Sequence, residues 1–385
     1  MDTGLATPLL GGLAPRLFMR RHWQKKPLLV RGAIDPGSFA IERETLFELA
    51  SRETVRSRLI VHSGAGWRLR QGPIARRSLP ALRRPGWTLL VQALDRHLPA
   101  MHELLARFRF VPQARLDDVM VSYASEQGGV GPHFDSYDVF LVQLHGQRRW
   151  RIGRLHEPQL QPDVPLKILT NFVAEDEWVL DPGDLLYLPP RWAHDGVAIG
   201  ECITASVGFR APQRTSLARG LMQQMLEAQP PEPTGAEPVY RDPQQPATDR
   251  PGQIPPTLTA FARDALRRLV ADPRELACAL GELLSEPDAE AGFALASAPS
   301  GAGGGLVLDR SSRMLYDRWH VFINGESFLA SGRDAVLMRR LADRARLTPR
   351  EVASLSPAAR GLLEQWQDDG WLQGLPAAPS ARSKP

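Results

Sequence analysis

Gly128-Gly129-Val130-Gly131-Pro132-His133-Phe134-Asp135, with Asp181-Pro182-Gly183-Asp184-Leu185-Leu186-Tyr187-Leu188-Pro189-Pro190-Arg191-Trp192-Ala193-His194, decides the fold. Residues at i and i+2 of an extended strand point to one side of a sheet, so His133 and Asp135 share a face. His194 follows 59 residues after the aspartate, and a return on a later strand completes a three-cornered face. Two imidazoles and one carboxylate leave positions open on a ferrous ion for a co-substrate and dioxygen.

A His-x-Asp triplet alone is weak. With nine histidines and aspartate at roughly 6% of residues, about half a chance match is expected. The flanks carry the signal. The glycine-rich run 128–132 delivers the chain into a strand and lets backbone approach a ligand. Tyr137 to Leu144 reads as a β-branched and aromatic strand. Pro182-Gly183 marks a tight turn, Leu185 to Leu188 a short buried strand, and Pro189-Pro190 its end. Trp192 and His194 then alternate. Turn, strand, proline pair and histidine make the second half of a double-stranded β-helix metal site.

After a turn expected at Gly146, Arg148, Trp150 and Ile152 share one strand face, and Arg149 and Arg151 the other. A cation among apolar neighbours is costly without a counter-charge, and a guanidinium paired with a carboxylate resolves it. Arg148 therefore reads as the grip for the distal carboxylate of 2-oxoglutarate; pairing with a protein carboxylate is the competing reading. Ser122, Thr204 and Ser206 are candidate hydroxyls for the same pocket, against a plain role as cross-strand partners.

These stretches resemble the JmjC-type ribosomal oxygenases, in particular the bacterial arginine hydroxylases of large-subunit ribosomal protein sixteen. Further matching segments are Arg21 to Gly32, Trp87 to Gln92, Arg148-Arg149-Trp150-Arg151, Ser206 to Pro212, Tyr240 to Pro243 and Tyr316 to Glu326. The resemblance implies a cupin/JmjC catalytic domain and an α+β chain with a helical dimerisation region and a C-terminal winged-helix-like domain. It implies an Fe(II)-dependent dioxygenase, with 2-oxoglutarate and O2 as co-substrates, that hydroxylates Cβ of an arginyl residue. His133, Asp135 and His194 take the metal-ligand positions and Arg148 the 2-oxoglutarate position. An arginine there, where most JmjC enzymes use lysine, favours the bacterial branch. A pocket serine expected near the glycine-rich turn is Ala124 here. The alternatives are a JmjC hydroxylase or demethylase acting on another residue, such as histidyl, and a transcriptional regulator with a cupin sensor and a winged-helix reader.

The 385 residues are enough for two or three domains. We expect a catalytic domain at 1–212, a helical dimerisation region at 213–300 with a Pro-rich linker at 230–256, and a winged-helix-like domain at 301–385. Amphipathic stripes at Leu217 to Leu226, Leu258 to Leu269 and Leu276 to Leu284 suit a homodimer. Asn324-Gly325 reads as a hairpin turn, a helix is expected over Asp334 to Arg346, and Thr348-Pro349 and Ser356-Pro357 begin further helices. The last helix sets Arg360 against Glu364, Asp368 and Asp369, which repels phosphates and argues against DNA reading.

No run approaches a membrane span, and the segment from Met1 to Phe18 lacks the pattern of a signal peptide. Cys202 and Cys278 build no disulfide framework and are expected as buried thiols in a reducing cytoplasm. The formal charge of +4 demands local acidic groups if the substrate is basic; Asp117, Asp118 and Asp138 are the candidates.

Overall fold

The computed structural model describes residues 2–64, 66–227, 238–288, 292–293 and 304–375. The expected linker's start, 230–237, and the expected boundary of the last domain, 294–303, lie outside the described residues. The chain forms two units, Met1–Ala211 and Pro212–Pro385.

The first unit is built on ten strands: β1 (Leu28–Val30), β2 (Ser57–Ser63), β3 (Gly66–Gln71), β4 (Trp87–Val91), β5 (Leu116–Ala124), β6 (His133–Phe134), β7 (Val139–Arg154), β8 (Asp176–Leu180), β9 (Leu185–Leu188) and β10 (Trp192–Phe209). They join in one antiparallel sheet of order β1-β9-β7-β10-β5-β4-β2-β3, with β6 added to β10 and β8 to β7. Two long strands, β7 and β10, form the spine. Each takes two short partners in succession, β9 and β8 along β7, β6 and β5 along β10. This is the expected double-stranded β-helix.

Alternation decides which face carries chemistry. Val119, Val121 and Tyr123 of β5, Phe140 and Val142 of β7, and Ala205 and Val207 of β10 join the main core. There they meet helices α1 (Pro15–Arg21), α2 (Arg43–Leu49), α3 (Leu94–His97) and α4 (Pro99–Ala106). Phe18 of α1, fully buried, packs its ring on Phe140 and Tyr187; burying one such side chain contributes about 1.5–3 kcal/mol. The opposite face holds a smaller cluster, including Leu141, Trp150, Ile152 and Leu186, together with buried Ser122, Gln143, Arg148 and Thr204.

Gly146 is not a turn. β7 runs through it as one strand of 16 residues, and the register with β10 shifts opposite it, between Ile199 and Thr204. A turn reverses the chain, whereas paired irregularities bend both strands and keep the ladder. Gly146 has φ 60 and sits against the Glu201 carbonyl, where a Cβ has no room. Tyr137 and Asp138, expected in this strand, precede it.

The second unit begins with α5 (Arg214–Glu227), α6 (Pro256–Leu269) and α7 (Pro273–Ser285). Strands β11 (Gly305–Leu308), β12 (Met314–Tyr316), β13 (His320–Ile323) and β14 (Glu326–Leu329) follow, then α8 (Gly332–Arg344), β15 (Arg346–Leu347), α9 (Pro349–Ala353), α10 (Pro357–Asp368) and β16 (Leu372–Leu375). They make two three-stranded sheets, β15-β11-β16 and β12-β13-β14, around a core that includes Leu308, Leu341, Leu363 and Trp366. Asn324 and Gly325, φ 50 and 91, turn the β13–β14 hairpin as read. Thr348 caps α9 in a full capping box with Glu351, and the Ser356 hydroxyl caps α10. Helix α8 stops two residues short of expectation because Ala345 takes the left-handed conformation and Arg346 opens β15. Cys202 is buried as expected, but Cys278 is only half-buried: its helix also presents that side to Glu282 and Ser327.

Candidate active site

β6 lies against the start of β10 with His133 directly opposite His194. The rings are 4.2 Å apart, and Asp135 Oδ2 lies 3.7 Å from His194 Nε2. One donor atom from each of the three falls within 4.8 Å of the others. Each imidazole is also oriented from behind: His133 Nδ1 bonds the Gly131 carbonyl at 2.9 Å, and His194 Nδ1 the Trp192 carbonyl at 3.0 Å. A carbonyl accepts only, so Nδ1 carries the proton and Nε2 keeps its lone pair toward the centre. Burial, and then His133, lower the His194 pKa to about 4; at pH 7 it is neutral, as a ligand must be. The donor set fits a ferrous ion.

Arg148 is 5% exposed. Its NH1 donates to Ser122 Oγ at 3.1 Å, and its Nε has no partner. No carboxylate among the described residues forms an ion pair with it. The guanidinium lies 5.5 Å from the Trp150 ring centre, and that ring lies 5.8 Å from His194. Gly196, whose hydrogen faces the indole, leaves room for the ring over β10. A cation without a counter-charge and a set of metal donors thus both stand beside one indole. An anion that also chelates a metal fits this pair.

The three hydroxyls differ. Ser122 Oγ accepts from Arg148 and donates to the Thr204 carbonyl at 3.3 Å. Thr204, fully buried, gives its proton to Gln143 Oε1 at 2.9 Å. Ser206 is partly exposed, opposite Met120 and Leu141. Among the acidic candidates, Asp138 is wholly buried and held by Tyr187, Gln24 and Arg115. It braces the N-terminal segment and is unavailable to a substrate, contrary to expectation. Asp117 pairs with Arg210 at 3.2 Å.

Two residues were missed. Tyr137 stands two residues after Asp135, and desolvation, then Asp135 and Asp118, raise its pKa; that spacing was the available signal. Gln143 lies on the site face within a strand read only for its apolar residues.

The chain matches the JmjC domain over residues 103–217 and a ROXA-like winged helix over residues 268–373, which takes in α7. It is 35% identical to the ribosomal protein uL16 3-hydroxylase of Escherichia coli, over 70% of this chain and 70% of that protein. The chain belongs to the JmjC ribosomal oxygenases. This ribosomal oxygenase is also 37% identical to a probable ribosomal oxygenase of Haemophilus influenzae, over 57% of this chain and 55% of the relative. Its fold matches the structure of YcfD, a ribosomal oxygenase from Escherichia coli, in complex with cobalt and 2-oxoglutarate. The TM-score is 0.79 and the identity 30%, covering 94% of this chain and 98% of the other.

Proposed function

We propose that this chain is an Fe(II)- and 2-oxoglutarate-dependent oxygenase that hydroxylates Cβ of an arginyl residue in a large-subunit ribosomal protein. The observation that carries it is the pairing of the His133/Asp135/His194 donor set with an unanswered Arg148 on one sheet face. Membership of the family, and the uL16 3-hydroxylase as a relative, support the substrate class. With iron and 2-oxoglutarate bound, dioxygen supplies the hydroxyl oxygen and the keto acid leaves as succinate and CO2. His133, Asp135 and His194 hold the metal; Arg148 and Ser122 hold the distal carboxylate and fix the keto acid's direction. Trp150 and Ile152 keep water from that anion. Thr204 and Ser206 complete the same wall, Thr204 through Gln143.

Asp138 is buried and Asp117 pairs with Arg210, which leaves Asp118 as the acidic candidate for a substrate guanidinium. The Ala93 N–H donates to it at 2.9 Å. Leu258, Phe261 and Leu266 on α6 and Met222 and Leu226 on α5 expose apolar surface, which supports a homodimer. Two free thiols and a ferrous site support a reducing cytoplasm. Among the described residues no helix is long and apolar enough to cross a membrane. The acidic α10 argues against direct DNA contact.

Mass spectrometry of large-subunit ribosomal proteins, from cells with and without this chain, tests the reading. A 16-Da loss confined to one arginine is expected. Unchanged arginine masses, or a loss on histidine, would overturn the substrate assignment.

A further inference from the structure

We infer that Gln143 is a positioning residue for Arg148, acting through Thr204, Ser122 and the bend in β7. The inference rests on the reading that Arg148 holds the keto acid's distal carboxylate. Gln143 is fully buried, and every polar atom of its amide is used. Its Nε2 donates to the His145 carbonyl at 2.8 Å and the Gly146 carbonyl at 3.0 Å. Its Oε1 accepts from Thr204 Oγ1 at 2.9 Å. From there the Thr204 carbonyl accepts from Ser122 Oγ, and Ser122 Oγ accepts from Arg148 NH1.

The bonds close a ring. One arm runs from Gln143 to the Thr204 hydroxyl, across the Thr204 backbone to its carbonyl, and through Ser122 to the guanidinium. The other runs from Gln143 through the carbonyls of residues 145 and 146 along the backbone to residue 148. Those carbonyls sit where β7 and β10 lose register, so strand pairing alone does not fix them. One amide therefore sets both the path of the backbone before Arg148 and the hydroxyl that holds its head. A ligand contact misplaced by about 1 Å is costly, up to 100-fold in rate. Plain core packing gives no reason for an amide here, because an apolar residue of the same size fills the space with fewer polar demands.

The test is titration of 2-oxoglutarate into the Co(II)-loaded full-length chain by calorimetry, with Co(II) affinity and thermal unfolding measured alongside. Gln143→Leu should weaken 2-oxoglutarate roughly tenfold or more while Co(II) affinity stays within about twofold. Thr204→Val disturbs the fold less and should weaken it several-fold, with Thr204→Ser restoring wild-type binding. Unchanged 2-oxoglutarate affinity in both Gln143→Leu and Thr204→Val overturns the inference. So does a parallel fall in Co(II) affinity, which marks a merely structural amide. A wild-type protein that binds Co(II) but no 2-oxoglutarate overturns the functional reading as well, and so is distinguishable.

Discussion

Arg148 in the catalytic unit, buried, and Arg340 in the C-terminal unit, its side chain 36% exposed, meet opposite circumstances. Arg340 reaches Glu351 at 2.6 Å, a carboxylate that also accepts from the Thr348 N–H and hydroxyl. Those bonds, the backbone one first, lower the Glu351 pKa to about 2. Arg148 meets one serine hydroxyl and nothing for its Nε. A protein that answers one guanidinium with a capping-box carboxylate has left the other for a ligand to answer. A buried cation with no counter-charge, beside a set of metal donors, is the arrangement that calls for an anionic ligand.

The largest expected effect breaks the comparison at its strongest point. His133→Ala or His194→Ala should lower succinate production more than about 100-fold, beyond the 10–100-fold of changes behind a ligand, with a matching loss of bound iron. Near-normal turnover would remove the metal assignment. Arg148→Ala should raise the KM for 2-oxoglutarate roughly 10- to 100-fold, the equivalent of about 1.5–3 kcal/mol for a charge-assisted hydrogen bond. An unchanged KM would mean that the incomplete guanidinium marks no ligand.

Asp95 sharpens the rule. It is buried with a bond from the Val119 N–H at 2.8 Å, and burial raises its pKa from 3.8 to about 6. The folded state therefore holds this proton more tightly than the unfolded chain, so ionisation above pH 6 opposes folding. Asp95→Asn keeps the acceptor and should stabilise the catalytic unit by about 1–3 kcal/mol at pH 7–8. The gain should fade as pH drops from about 6 to 4, as thermal melts across pH will show. A gain independent of pH would contradict the assignment. The smallest effect belongs to the answered side. Thr348→Ala should cost about 1 kcal/mol of stability and leave turnover unchanged; lost turnover would tie this cap to the site.

The sequence by itself determined much of the local structure. Turn chemistry announced the Asn324-Gly325 hairpin and the Thr348 and Ser356 caps, because glycine, asparagine and hydroxyl side chains act on backbone within a few residues. It also marked the donors His133, Asp135 and His194, since strand period two puts the first pair on one face and the Pro189-Pro190 break frames the third. Only the tertiary structure decided the rest. Gly146 read as a turn because local sequence cannot show that β10 runs alongside and bends with it. Asp138 read as a surface acid because Tyr187, Gln24 and Arg115, from distant parts of the chain, converge on it only in the fold. Gln143 carries no local signal at all, and Thr204 read only as one strand hydroxyl among three. Their ring of hydrogen bonds exists where strands separated by dozens of residues are laid side by side, and distance in space, not order in the chain, sets which groups can share a proton.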